Sequence, residues 1–406
     1  MIELEAKFRI VTPLFMSGSD KLEAELRVPS IKGVLRFWWR ALALGRLDTV
    51  KKVRDDESRI FGSAGNDIGQ SRIHLRLKLP ENTGQYNDPI LKYADGEPVG
   101  PGARYLGYGV VEAFPNRKKN TKEGQVLRSC MKYPFGGILN ILIKNGTRED
   151  DIKSVTSALI AMGLFGGLGS RSRKGYGSFN LEELKLGNEV IFKAANDIEE
   201  LKKQIEYLFS SYGNKAYPSL PPYTAHSNCT RIDIAEKGPD PLRLLNSVGE
   251  AMQMYRSWGR FGKVNGIASE MNFKDDHDLA AQAIRTKVGS HPRRAVFGLP
   301  HNYYFSSYKE KVDVKPARLE RRASPLFIHI HELSNKQYAA IMTILPADFL
   351  PSGERIKVNN FAVPQHIDFK VLHDFLDGKN GYGKLRFPNA VPVVNSKTSA
   401  KCGAIQ

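Results

Sequence analysis

The first ten residues alternate. Ile2, Leu4, Ala6, Phe8 and Ile10 share one parity, and Glu3, Glu5, Lys7 and Arg9 share the other. That period of two predicts a strand with one face buried. Thr12-Pro13 ends it, and Pro29-Ser30 opens a helix with Ser30 as its N-cap. Ile31, Val34, Leu35, Trp38 and Leu42 then recur at helical spacing. A long polar stretch leads to a second strand, where Ile73, Leu75, Leu77 and Leu79 alternate with Arg72, His74, Arg76 and Lys78. Residues 81–125, rich in Gly, Pro, Asn and Lys, read as an insertion of loops. A third strand falls at 138–143. A helix follows Thr147, carries Glu149, Asp150 and Asp151 at its positive end, and runs to about Gly163. A glycine-rich loop and a strand near 178–186 close the unit.

The order strand, helix, strand, strand, helix, strand is the ferredoxin-like pattern, shared with RNA-recognition folds. Helices cover one face of such a sheet. If the other face is open, Arg72, His74, Arg76 and Lys78 make it positive. A helix at about 194–211 links to a second half that repeats the plan: a strand at 230–235, a helix at 241–257, strands at 325–331 and 338–345, and a helix at about 367–377. The expected class is α+β, two tandem ferredoxin-like (RRM-like, βαββαβ) domains with loop and helix insertions. Residues 1–190 form the first domain and 191–406 the second. The second carries a long insertion at 259–322, with one helix near 278–288 and loops rich in Tyr, Arg and Lys.

Composition narrows the function. The 406 residues include 60 Lys and Arg against 43 Asp and Glu, a formal charge of +17. With pI near 9.6, the favoured partner is a polyanion, nucleic acid before an anionic membrane surface. Cys130, Cys229 and Cys402 are far apart and form no CxxC pair, which fits a reducing cytoplasm. MIELEAKFRI is not a signal peptide, and the most apolar run, from residue 158, is too short and glycine-rich to span a bilayer.

The densest chemistry lies in GGLGSRSRKGYGSF, residues 166–179, with Arg171, Arg173 and Lys174 among five glycines. Glycines let backbone amides approach an anion, so the stretch reads as a flexible phosphate cradle; the plainer alternative is a solvated surface loop. It is neither a Walker A loop nor GxGxxG. In PSIKGVLRFWWRA, Lys32, Arg36 and Arg40 line one helical stripe, and from 27 to 54 Asp48 is the lone acid among the basic residues. Two adjacent tryptophans cannot both face one core. Trp38 belongs to the apolar face, while Trp39 either packs under a loop or stacks on a base. Tyr176 is a second stacking candidate. Arg293, Arg294, Arg321 and Arg322, in SHPRR and RRASPL, could fork onto phosphates. Arg117, Lys118 and Lys119 mark a basic loop.

Signs of catalysis are sparse. His329 and His331 share a strand face but lack further ligands, and read as exposed histidines. Asp275, Asp276 and Asp278 suit the start of a helix better than a metal. No metal or cofactor is expected. His74 and His291 are the nearest candidates for acid–base work on RNA, and neither has an evident partner.

TPLFMSGSD, the tryptophan helix and the glycine-rich loop together resemble the RAMP superfamily of CRISPR-associated proteins. LRFWWRAL with VFGLP and RRASPL is similar, more narrowly, to its Cmr1-type members, subunits of the type III-B effector complex. The resemblance covers most of the chain. It implies tandem ferredoxin-like domains and a place near the 3′ end of a guide RNA, beside other RAMP subunits, in a complex that binds and cuts complementary RNA. It leaves the cutting to other subunits. The expected function is therefore a non-catalytic RNA-binding subunit that contacts guide or target RNA. The alternatives are a metal-independent endoribonuclease that processes the guide and a mainly architectural subunit.

Overall fold

The structure, a computed structural model, describes residues 1–394 except 21, 48, 65–68, 117 and 213–219. Asp48, Arg117, Cys402 and the tail beyond Val394 lie outside the described residues.

In the first half, β1 (Ile2–Ile10) leads to α1 (Val28–Arg46), α2 (Val50–Phe61) and β2 (Ile73–Lys78). Then come α3 (Pro101–Leu106), β3 (Phe135–Ile143), α4 (Glu149–Phe165), β4 (Phe179–Leu186) and β5 (Glu189–Lys193). The sheet is antiparallel in the order β2-β3-β1-β4-β5. Setting aside the added hairpin strand β5, that is the ferredoxin-like arrangement. The alternation in β1 is realised from Leu4 onward: Leu4, Ala6, Phe8 and Ile10 are all buried, while Ile2 at the strand's start is exposed. They pack under α1 and α4 with Leu35, Trp38, Leu159 and Phe165, each large side chain contributing roughly 1.5–3 kcal/mol. The open face is not uniformly positive. His74, Arg76 and Lys78 are exposed at its β2 edge, but nearer the middle Lys7 pairs with Glu182 at 3.3 Å and Arg9 with Glu332 at 2.8 Å.

Helix α1 starts earlier than its sequence suggests. Arg27 is the N-cap and Pro29 occupies the first turn, so Ser30 lies inside the helix. Proline tolerates that turn because its missing N–H has no partner there in any case. The polar stretch after α1 contains α2, hidden by its charges. Thr49 caps it by accepting from the Lys52 N–H at 3.2 Å, and Val53, Ile60 and Phe61 form its narrow buried side.

The second half runs α5 (Ile198–Tyr212), β6 (Arg231–Gly238), α6 (Pro241–Arg256), a small hairpin of β7 (Lys263–Val264) and β8 (Ile267–Ala268), and α7 (Lys274–Gln282). Strands β9 (His301–Phe305), β10 (Glu310–Pro316), β11 (Leu326–Glu332), β12 (Tyr338–Ile344), β13 (Arg355–Val358) and β14 (Phe361–Pro364) follow, then α8 (Lys370–Asp377) and β15 (Val391–Val394). The sheet β11-β12-β6-β15 repeats the first half's strand order. The 259–322 insertion holds more order than its composition suggests. Its helix, α7, begins at Lys274 rather than near 278, and β9 and β10 join β13 and β14 in a sheet of four strands. Of the described cysteines, Cys130 is free and buried. Cys229 is disulfide-bonded, against the expectation of uniformly reduced thiols. No helix among the described residues is long and apolar enough to cross a membrane.

Two of the places where the halves join bear on the site. One is a crossing of α3 on α6, where glycines bring the backbones together. A Cβ on Gly102 would lie 2.0 Å from the Asn246 carbonyl oxygen, and one on Gly249 would lie 2.1 Å from the Gly102 oxygen. The Asn246 side chain accepts from the N–H groups of Gly102 and Ala103, at 3.0 and 3.2 Å. Gly249→Ala should therefore destabilise the chain by about 2 kcal/mol or more through overpacking, read as a lower urea midpoint. An unchanged midpoint would show that the helices can separate freely.

Candidate nucleic-acid interface

The glycine-rich loop is the other junction, and it is an ordered element rather than a flexible cradle. Strand β11 is an edge strand, and the loop covers its free edge. The Ile328 N–H donates to the Arg173 carbonyl at 3.1 Å. The Ile330 N–H donates to Ser178 Oγ at 3.1 Å, and the Glu332 N–H to Asn180 Oδ1 at 2.8 Å. The alternate amides that an edge strand would leave bare are thus satisfied from the other half. Glycine is required here on two counts. Gly169 and Gly175 have φ of +76° and +82°, and their Cβ atoms would fall 2.5 Å from the Phe15 carbonyl and from Leu245 Cδ1.

The covering turn aims its cations along the seam between the halves. Arg171 stands at φ +64°, costly for a residue with a Cβ, and lies over the exposed ring of Tyr108 at 5.8 Å. Arg173 is sandwiched by Phe327 at 4.4 Å and Phe37 at 5.3 Å, and donates to the Ser324 carbonyl at 2.6 Å. Burial, then Arg322, push its guanidinium down to about 10. Lys174 Nζ is shielded and has no hydrogen-bond partner among the described residues. Its pKa is depressed by burial first, then by Arg256, Arg171 and Arg173. Arg128 acts on Arg171, and Arg294 on Arg256, in the same repulsive sense. Arg128, Arg171, Arg173, Lys174, Arg256, Arg294 and Arg322 therefore form a connected chain of like charges. Among the described residues, none of them has a carboxylate within ion-pair distance. Their hydrogen bonds go to neutral groups: Arg256 to Tyr105 OH at 2.9 Å, Arg294 to Tyr303 OH at 2.6 Å, and Arg322 to the Asp348 carbonyl at 3.2 Å.

A groove opens onto this seam beside α1. One cavity of about 340 Å³ is lined by Ser17, Ser30, Arg128, Ser129 and Ser170. A second of about 190 Å³ is lined by Gly33, Phe37, Gly167, Ser172 and Arg173, and Val34 borders both. Ser30 brings the first turn of α1 to the wall, where the helix dipole and free amides favour an anion. Together the groove offers serine hydroxyls, a positive helix end, arginines and a partly exposed Phe37.

Not every residue picked out by sequence belongs there. Arg171, Arg173, Lys174, Arg294 and Arg322 converge. Lys32, Arg36 and Arg40 do share a stripe, but it faces α2: Lys32 Nζ donates to Ser71 Oγ at 2.9 Å, while Arg36 and Arg40 share Glu57 at 2.8 and 2.6 Å. Trp39 is fully buried and donates to Ser154 Oγ at 2.9 Å, so it can stack on no base. Tyr176 is also buried, its hydroxyl held by the Ala103 carbonyl at 2.8 Å. Arg293 lies apart, 4.0 Å from Asp276, and Arg321 is exposed on the chain entering β11. Arg128, Tyr108 and Arg256 escaped sequence reading because each is isolated in the chain and meets the loop only through the fold, and Phe37 because its place beside Trp38 reads as core.

The histidines are not arranged for catalysis in this groove. His329 and His331, expected on an exposed face, are buried; His329 Nδ1 lies 2.7 Å from the Gly166 oxygen. His291 is buried with both ring nitrogens engaged, Nδ1 to the Pro292 oxygen and Nε2 accepting the His366 N–H, each at 2.9 Å. His74 stands on the β2 edge. The acidic run does start α7, and Asp276 accepts from the Arg293 and Arg294 N–H groups at 2.9 and 2.8 Å. Among the described residues no group of three or more His, Cys, Asp or Glu could hold a metal ion.

A ferredoxin-like unit whose glycine-rich loop precedes the last strand is similar to a known class, and the match is direct: residues 7–180 match the family model of the RAMP superfamily. Over more of its length the chain is similar to Cmr1 subunits of the CRISPR Cmr system of Pyrococcus furiosus. It is 29% identical to Cmr1-2 over 46% of this chain and 96% of that one. It is 24% identical to Cmr1-1 over 86% of this chain and 87% of that one. The crystal structure of apo Cmr1 from Pyrococcus furiosus shares the fold, with a TM-score of 0.57 at 18% identity over 98% of this chain and all of that one. A chain of the type III-B Cmr-β complex bound to cognate target RNA does so at a TM-score of 0.50 and 14% identity, over 92% of this chain and 98% of that one. The tandem ferredoxin-like class expected from the hydrophobic pattern is thus found in both halves.

Proposed function

We propose that this chain is a non-catalytic RNA-binding subunit of a cytoplasmic type III-B CRISPR ribonucleoprotein, holding guide or target RNA by its phosphates beside other RAMP subunits. The observation that carries this reading is the line of seven mutually repelling cations, none of which forms an ion pair among the described residues. Bringing such charges together in a half-buried seam costs several kcal/mol unless an anion compensates them. A nucleic-acid backbone supplies anions at the required density. The groove's lining offers serine hydroxyls, arginines and the Phe37 ring, which suit contact with phosphate, 2′-OH and stacked faces, as fits a subunit whose guide sequence varies. Among the described residues no histidine lines the groove, which favours binding over strand cleavage, and the Cmr1 likeness favours the same complex.

Replacing Arg171 and Arg173 together by Ala should weaken binding of the full chain to unrelated RNA sequences about 10- to 100-fold at low salt. The slope of log affinity against log salt should become shallower by roughly 1.4, two single-strand phosphate contacts. Filter binding across a salt series reads both. Unchanged affinity, with the thermal midpoint preserved, would remove the loop from the interface.

A further inference from the structure

The sheet β14-β13-β10-β9 lies outside both ferredoxin-like units. One side is core, with Tyr303, Val312, Val314, Ile356 and Val358 buried. On the other, the register sets Tyr304 opposite Lys311 and Lys315 opposite Lys357. Like charges directly across a ladder are about 5 Å apart at Cβ and repel. Arg355 shares this face, and its one acid is Asp313. None of Lys311, Lys315 and Lys357 forms an ion pair among the described residues. The contrast with the first half's open sheet face is sharp, because there Lys7, Arg9 and Lys185 each pair with a glutamate.

We propose that this accessory sheet face is a second RNA-contact surface, which receives the strand as it leaves the seam. The inference rests on the RNA-binding reading above and extends it to a separate surface. Two features select RNA over an acidic protein. Tyr304 is 63% exposed and stands across the ladder from Lys311, so one nucleotide satisfies both, its base on the ring and its phosphate on the ammonium. An acidic protein surface would meet the lysines and leave the ring bare. The second feature is continuity. The chain from Lys315 runs directly to Arg322 of the seam, past the exposed Arg321, and even fully extended it spans no more than about 25 Å. At about 3.4 Å per nucleotide, a strand of seven or eight nucleotides bridges that distance.

The test uses the full chain with Lys315→Ser/Lys357→Ser and, separately, Tyr304→Ser, beside the Arg171/Arg173 variant. Fluorescence anisotropy is read with a single-stranded RNA of about 30 nucleotides and one of about five, too short to bridge the seam and the sheet. The double lysine variant should bind the long strand about five- to tenfold more weakly and shallow its salt slope by roughly 1.4, while the short strand loses little. Tyr304→Ser should weaken the long strand without changing the slope. If the sheet variants bind the long RNA as the parent does while the Arg171/Arg173 variant fails, the second surface is overturned and the seam stands. Unchanged binding by every variant overturns both. Unchanged RNA affinity with lost binding to polyglutamate assigns the face to an acidic protein and also sinks the proposal.

Discussion

Between pH 7 and pH 5 the folded chain should lose on the order of 5 kcal/mol of stability, before any carboxylate titrates appreciably in the unfolded state. The cause is a set of histidines buried as neutral imidazoles. His226 lies against Phe209 at 4.4 Å, with Trp38 and Phe165 around it, and burial lowers its pKa to about 3. Burial brings His331 to about 4, and burial followed by Arg231 does the same for His373. His329 is lowered by burial and by His331. In the unfolded chain each takes up a proton near pH 6.5, whereas the folded chain refuses it until far lower. Their contribution is therefore fully present above pH 6.5 and drains away as the pH falls, about 2 kcal/mol for each of His226, His331 and His373 by pH 5. Asp233, Asp276 and Glu332, raised by burial, work in the opposite sense and offset part of the loss at the acid end. Urea denaturation at pH 7, 6 and 5 measures the slope. His226→Phe, which keeps the aromatic packing, should reduce the loss by about 2 kcal/mol. A slope that this change leaves untouched would mean that His226 accepts its proton inside the fold.

Lys174→Met should raise stability and weaken RNA binding at once. The ammonium is shielded, lacks a partner among the described residues and is surrounded by Arg256, Arg171 and Arg173. Methionine keeps much of the side-chain volume and removes a charge that the apoprotein does not compensate. Exchanges of buried charge for apolar volume gain on the order of 2 kcal/mol. When RNA is bound, the same ammonium has an anion to meet, so its removal should lower affinity about tenfold at low salt. Urea midpoints and RNA titrations of the one variant separate the two roles. A lysine kept only for packing would lose neither affinity nor salt slope. A variant that is both less stable and fully able to bind RNA would falsify the reading of the seam.

The ferredoxin-like strands were legible because their physics is local. β1 and β2 face solvent on one side, so burial writes a period of two into ten or fewer residues. α2 was illegible for the opposite reason: Val53, Ile60 and Phe61 make a narrow contact, and Lys, Arg, Asp and Glu occupy the rest of its surface. The accessory sheet was missed because the β9-β10 hairpin joins it through pairing of β10 with β13 across an intervening β11 and β12, a relation no window of sequence contains. The candidate interface was half legible. Glycine and arginine mark the loop wherever it lies, but its partner strand is some 150 residues away. Neither the ordering of the turn nor the arrival of Arg256 and Arg322 beside it could be read from the motif. The stripe of Lys32, Arg36 and Arg40 was also correctly drawn. That Glu57 waits across from it follows only once α2 is known.

The cover that the glycine-rich turn lays over β11 bears on how the polypeptide is made. Synthesis proceeds from the N-terminus, and the leading unit can fold while the remainder is still being translated. The turn is then already set when Leu326–Glu332 emerges, so a nascent strand that could otherwise recruit a neighbouring chain meets its mate on arrival. The trailing unit matures on a template made by the leading one, and a chain whose first unit is slow to form would expose that strand to aggregation on the ribosome.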